Sequence, residues 1–270
     1  MPDALSSLAR TAHFTAAARA RESERKDALF SDPWAAHLAG QEGFAAVDRL
    51  PPLSSLWPVV RTRFLDDCLR QWLQDETITQ VVLPAAGLDT RAYRLAWPAG
   101  TRLFEIDQPD MLAHKQRVLA EARAVPQCER IALSADLRHS WADVLGEAGF
   151  DSSQPAIWIV EGLLMYLDTE AVGHIMKSVS QLAAPGSCLG LDLQSPSLKG
   201  FVVEEPQRWL ADLGWEAEVV TLRDVAERLG RWPAPSTLDP PPATSTPPAP
   251  RIRVYFISAQ KQTRPADRAI

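Results

Sequence analysis

The sequence predicts a doubly wound α/β sheet, and three observations carry that prediction. Short apolar runs recur along the chain, each ending at a small or acidic residue. Segments with helical periodicity separate them. An Ala- and Arg-rich stretch without Pro or Gly precedes the first run. Strands alternating with helices imply right-handed βαβ units and a parallel sheet covered on both faces.

The elements follow in order. Residues 4–24 predict a helix, because Ala and Arg favour it and no breaker interrupts it. Its late charges, Arg19 to Lys26, suggest a solvated face. Asp32–Pro33 predicts a helix start, with Asp32 as N-cap and Pro33 at the first position. A loop at Pro51–Pro52 leads to an amphipathic helix over Val59–Leu73. The apolar runs are Val81–Ala86, Thr101–Ile106, Ile131–Ala135, Ala156–Val160 and Leu189–Leu193, with helices predicted over 109–123 and Thr169–Leu182. Glu218–Leu222 and Val254–Ala259 add two strands around a helix at 223–229. The Pro-rich stretch 233–250 predicts an irregular loop.

The bulk numbers exclude several classes. Of 270 residues, 46% are hydrophobic and 23% charged, as in a globular protein with a sizeable core. The net charge of -6 leaves no nucleic-acid footprint. The N-terminus has no apolar leader core, and no run reaches the ~18 apolar residues of a membrane span, so a cytoplasmic location is expected. Cys68, Cys128 and Cys188 are odd in number and far apart, which predicts reduced, space-filling thiols and no metal site.

In an open α/β sheet, ligands bind beyond the carboxyl ends of the strands, at the switch point. Here those ends carry Ala85–Ala86–Gly87, then Glu105 and Asp107, then Asp136, then Glu161. A small-residue turn lets a ligand approach the backbone. An acid ending the second strand suits both hydroxyls of a ribose. An Asp after the third suits an adenine amino group. Singly, each reads as well as a helix N-cap; in strand order they describe an adenosine site. A dinucleotide site wants G-x-G-x-x-G. Residues 84–91 read PAAGLDTR, with one glycine and with Asp89, which would repel a pyrophosphate. An adenosine ligand with an amino-acid tail fits better, which favours S-adenosylmethionine (SAM) over NAD.

Four segments then carry a resemblance: ERKDALFSDP at 24–33, RTRFLDD at 61–67, VVLPAAGLDTRAYRL at 81–95 with FEIDQP at 104–109, and ADLR at 135–138 with IVEGLLMYL at 159–167. In order and spacing over about residues 5–195 they resemble the leucine carboxyl methyltransferase family, in particular its bacterial O-methyltransferase branch of natural-product type. WLADLGW at 209–215 and a final strand containing Tyr255 add to the likeness. The resemblance implies a Rossmann-like class I methyltransferase: a seven-stranded, mostly parallel sheet with an antiparallel last strand. It also implies an N-terminal helical cap, placed at residues 1–75 and followed by the SAM-binding unit at 76–270. Arg61 would grip the SAM carboxylate in bidentate fashion, with help from Arg21 in the cap. Ala85 and Gly87 would line the methionine part. Asp107 would hold the ribose, with Glu105 the runner-up. Asp136 and Leu137 would frame the adenine, Glu161 would sit by the amino-acid end, and Tyr166 by the transferring methyl. The sequence departs from the family at Ala85, where a glycine is usual, and at the preceding Pro84.

The implied reaction is methyl transfer from SAM to a carboxylate or hydroxyl of a small molecule, leaving S-adenosylhomocysteine (SAH). A carboxylate, with a reference pKa near ~4, needs no general base, whereas a hydroxyl usually does. No His pairs with an acid at a strand end in the sequence: His13, His37, His114, His139 and His174 fall in predicted helices or loops, with His13 in the cap the one placed to act. Trp57 and Phe14 are candidates to line an aromatic acceptor pocket. A non-catalytic SAM binder and an NAD-dependent oxidoreductase are the alternatives.

Overall fold

A computed structural model describes residues 3–139, 141–233 and 253–262. Three helices come first: α1 (Asp3–Ser23), α2 (Ala35–Arg49) and α3 (Leu56–Trp72). Then follow β1 (Gln80–Pro84), α4 (Arg91–Arg94), β2 (Arg102–Asp107), α5 (Pro109–Glu121), β3 (Glu129–Ser134), α6 (Trp141–Glu147) and β4 (Ala156–Val160). The remainder is α7 (Thr169–Leu182), β5 (Cys188–Ser195), α8 (Pro206–Asp212), β6 (Trp215–Thr221), α9 (Leu222–Arg228) and β7 (Arg253–Lys261).

The seven strands form one sheet in the order β3-β2-β1-β4-β5-β7-β6. The β1–β5 pairings are parallel, and β7 is antiparallel to both β5 and β6. The order reverses between β1 and β4, which makes their carboxyl ends the switch point. Burial explains the sequence pattern. Strands β1 and β4 are buried on both faces, so they read as continuous apolar runs. The edge strand β3 is only partly buried, and polar residues mark it.

One face of the sheet packs Trp158 against Phe150 and Trp141 with edge-to-face rings, centroids 5.5 and 6.3 Å apart. On the other face, Leu38 and Ala39 of α2 and Leu65 and Leu69 of α3 share a core with Val81, Leu83, Ile157 and Ile159. The helical cap is therefore welded to the strands that end at the switch point.

Several expectations need correction. The N-cap position of α2 falls at Trp34 and not at Asp32; Asp32 Oδ1 accepts from the Trp34 N–H at 3.2 Å, and its Oδ2 is a buried hub that accepts from Arg19 Nε at 2.8 Å and Thr90 Oγ1 at 2.6 Å. The 19–26 charges are not one solvated face, since Arg19 and Glu22 are buried. Helices α4, α6 and α8 were not foreseen; four to seven residues span too few turns to show a period. The Pro-rich loop falls almost entirely outside the described residues. Among those residues no helix is long and apolar enough to cross a membrane.

Candidate functional site

The turn after β1 is built for close approach. Ala85 and Gly87 have φ of +57° and +47°. Glycine adopts that region freely, and alanine does so at a cost of about 1 kcal/mol. The N–H of Gly87 donates to Asp107 Oδ2 at 2.6 Å, and that of Gln108 donates to Oδ1 at 2.7 Å. Asp107 is thereby fixed across the turn, with lone pairs left on both oxygens. Burial raises its carboxyl above the ordinary range, against the lowering effect of the two N–H donors.

Glu105, the alternative ribose ligand, is fully buried and accepts from Lys115 at 2.8 Å and Arg130 at 2.7 Å. Through Oε2 it braces α5 and β3, while its Oε1 is buried without a partner among the described residues. At the end of β3, Asp136 is held by the exposed Arg138 and lies 3.5 Å from His139 Nδ1. The sequence reading found no such acid–His pair. It sits at the solvent-facing edge, with His139 77% exposed. Leu137 is buried in the core beside Trp141 and Trp158.

After β4, Glu161 joins two arginines: Oε1 accepts from Arg61 Nε at 2.8 Å and Oε2 from Arg91 at 2.7 Å. Burial alone would push its carboxyl up, but Arg91 and Arg61 outweigh this and hold it at about 2. Arg61 also donates to Asp192 Oδ2 at 3.0 Å, and the N–H of Gly162 donates to Asp192 Oδ1 at 2.6 Å. Gly162 has φ +63°, and a Cβ there would lie 3.1 Å from the Arg61 guanidinium. The close approach of backbone and arginine requires glycine.

The network extends into the cap. Arg91 donates to Asp66 at 2.8 Å and to Asp89 at 2.5 Å; Arg94 donates to Asp66 at 2.5 Å. Arg19 donates to the Leu88 carbonyl at 2.7 Å. Arg19, not Arg21, is thus the cap arginine that reaches the β1 turn. Arg21 is half exposed, 3.5 Å from Asp48 and stacked over Phe44.

Among the described residues, Arg61 and Arg91 each keep one guanidinium nitrogen without a protein partner. Arg61 commits Nε and Nη1, and its Nη2 has none; Arg91 Nη2 is buried and unpaired. An unpaired buried guanidinium N–H is costly, and an anionic ligand group beside Glu161 relieves that cost. The residues therefore fit the amino-acid end of SAM. The expected bidentate grip by Arg61 is corrected to a single free Nη2, because Glu161 and Asp192 occupy the rest of the fork.

Tyr166 ends a 3-10 turn at Leu164–Tyr166, one residue beyond Gly162. Among the described residues its hydroxyl has no hydrogen-bond partner. Trp57 stacks over Arg61, 5.9 Å from ring centre to guanidinium carbon, and packs with Val60 and Phe256; Phe14 lies outside that cluster. His13 is spent on the Leu38 carbonyl at 2.9 Å and the edge of His114. The cysteines are free, and burial pushes the Cys68 and Cys128 thiols up to about 12 and Cys188 to about 11. No metal-binding group exists among the described residues.

Sequence reasoning missed Arg91, Arg94, Asp66, Arg19 and Asp192. For Asp192 a signal was present: one acid inside the apolar run LGLDL. The others sit in stretches whose charges read equally well as solvated.

Comparison with known proteins decides the family. The leucine carboxyl methyltransferase family pattern matches residues 12–180. The chain belongs to this family. A relative from Parafrankia sp. (strain EAN1pec) is 38% identical over 94% of this chain and 87% of its own length. Relatives from Frankia alni and Streptomyces coelicolor are 43% and 41% identical, each over 82% of this chain and 87% of theirs. All three bear the assigned name of a SAM-dependent methyltransferase. Among solved structures, magnesium protoporphyrin IX methyltransferase from Synechocystis PCC 6803 with bound SAM aligns with TM-score 0.50 at 16% identity, over 82% of this chain and 92% of that one. A methyltransferase from Thermobifida fusca YX gives 0.51 at 18%, over 91% and 94%. The fold is that of class I methyltransferases, and this member of the leucine carboxyl methyltransferase family is a SAM-dependent methyltransferase.

Proposed function

We propose that the enzyme transfers the methyl group of SAM to an oxygen of a small-molecule acceptor, a carboxylate first and a hydroxyl second, in cytoplasmic secondary metabolism. The observation that carries this reading is the Tyr166 hydroxyl, on the turn after β4, which has no hydrogen-bond partner among the described residues. His13, His114 and His139 are engaged elsewhere. With those three engaged, an acceptor already ionised at neutral pH, which needs no general base, is the natural one.

Ala85 and Gly87 line the methionine chain, Asp107 binds the ribose hydroxyls, and Asp136 with Leu137 frames the adenine. Arg61 Nη2 meets the carboxylate, and Glu161 holds Arg61 and Arg91 in place while facing the ammonium. When bound, SAM supplies a sulfonium-activated methyl with a good leaving group. Tyr166 donates a hydrogen bond to the acceptor and orients the attacking oxygen in line. The cap keeps water out.

The test is methyl transfer from isotopically labelled SAM to a panel of carboxylic acids and phenols. A base-labile labelled ester supports the carboxylate reading, a base-stable ether supports the hydroxyl reading, and label on nitrogen or carbon alone overturns both. Tyr166→Phe should lower kcat about tenfold or more with a smaller change in SAM affinity.

A further inference from the structure

The loop that follows β5 has no part in the reading above. It leaves the carboxyl end of the sheet, the end at which open α/β sheets bind their ligands. Two serines pin it. The Ser195 hydroxyl donates to the Val203 carbonyl and accepts from the Val203 N–H, both at 3.0 Å. The Ser197 N–H donates to the Phe201 carbonyl at 2.8 Å, and Ser197 Oγ accepts from the Phe201 N–H at 3.0 Å. Phe201 and Val203 are buried in the core, where Phe201 meets Trp209 of α8 edge-on, with ring centres 5.7 Å apart. Leu198 and Val202 do the opposite: they are 60% and 56% exposed. The Leu198 N–H donates to the Met165 carbonyl at 3.0 Å, which ties the loop to the turn that ends at Tyr166.

A single exposed aliphatic side chain is ordinary on a protein surface. Here two stand on one loop that its own hydrogen bonds hold in shape, and that loop is fastened one residue from Tyr166. Side chains ordered in advance can cover the apolar part of a ligand with little further loss of freedom. Building on the acceptor's placement beside Tyr166, we propose that the 195–203 loop is an apolar lip of the acceptor site. Leu198 and Val202 hold the hydrocarbon portion of a carboxylic acid whose carboxylate lies at Tyr166. The two side chains thereby set specificity, and the acceptor class is an acid with an extended alkyl or aryl tail. A small polar acid would leave both side chains in water and gain nothing from them.

Calorimetric titration of the whole, SAH-loaded chain with straight-chain acids from butanoic to decanoic tests this. In the wild type, Kd should fall by about two- to fourfold for each added methylene. In a protein carrying both Leu198→Ser and Val202→Ser, that dependence should flatten. Both positions are exposed, so the double variant should fold, and SAH binding at the wild-type affinity checks that it has. A wild type without chain-length dependence, or one that binds none of the acids, overturns the proposal whether or not the variant folds. A dependence equally steep in a variant that binds SAH overturns it too. Labelled SAM separates this outcome from failure of the methyl-transfer reading. Acids that bind with the expected contrast yet yield no ester overturn the carboxylate chemistry and leave the lip. Esters formed with the same chain-length preference by both proteins overturn the lip and leave the chemistry.

Discussion

Two carboxylates beyond the strand ends are both held at about 2, Glu161 after β4 and Asp136 after β3, and they reach that value by different routes. For Asp136 the main cause is a hydrogen bond from Arg138, a side chain 65% exposed. For Glu161 the value is the remainder of large opposing effects: burial pushes it up, and two buried arginines push it further down. Equal acidity therefore conceals unequal worth. An exposed pair contributes little, because water already solvates both partners. A buried network gains little as a whole against apolar packing, yet losing one member strands a charge out of water.

The largest expected effect comes from breaking the buried end. Arg91→Leu leaves Asp89 without a cation and takes one of the arginines from each of Asp66 and Glu161, and should cost about 3–5 kcal/mol, seen as a fall in Tm of roughly 10 °C. In the wild type, a Glu161 carboxyl lowered from 4.5 to about 2 stabilises the fold above the unfolded value. That contribution is lost as pH falls through this window, so thermal melts against pH should show a shallower acid limb in the variant. An Arg91→Leu protein as stable as wild type would show that the network is dispensable to the fold.

Intermediate in size is Asp107→Ala. Loss of charged hydrogen bonds to ribose hydroxyls should weaken SAM binding by 10- to 100-fold, about 1.5–3 kcal/mol, by calorimetry. Unchanged affinity would move the ribose away from β2. The smallest effect is expected of Arg138→Ala, where removing an exposed partner should shift stability by less than about 1 kcal/mol in denaturant titration. A larger loss would mean that Asp136 and Arg138 act as part of a buried unit, and the contrast between the two ends would fail.

The strands were legible because burial on both faces forces a readable run: β4 at Ala156–Val160 and α7 at Thr169–Leu182 match the sequence reading residue for residue. The turn at Ala85–Gly87 was legible for a similar reason, since a close backbone approach leaves only small residues. The ion network was not. Arg91 and Arg94 stand in the most specific motif of the chain, GLDTRAYRL, yet composition cannot say whether a charge faces water or another charge. Asp32 shows the same ambiguity: its spacing before Pro33 fits a helix start, and Oδ1 does accept from the Trp34 N–H, while its side-chain partners, Arg19 and Thr90, are remote in the chain. Pairing between distant residues leaves no period to read.

Strand β7 follows every other strand in the chain, yet it lies between β5 and β6. During synthesis, β5 must therefore wait as an open edge until β7 emerges, and β6 has no sheet partner until then. Asp192 and Leu193 of β5 are among the residues left uncovered. An unpaired edge strand invites pairing with other chains. Until β7 emerges, the β5 edge of the nascent sheet is thus bare. Premature termination before β7 would yield a chain prone to aggregate, and any chaperone engagement would be concentrated at this edge.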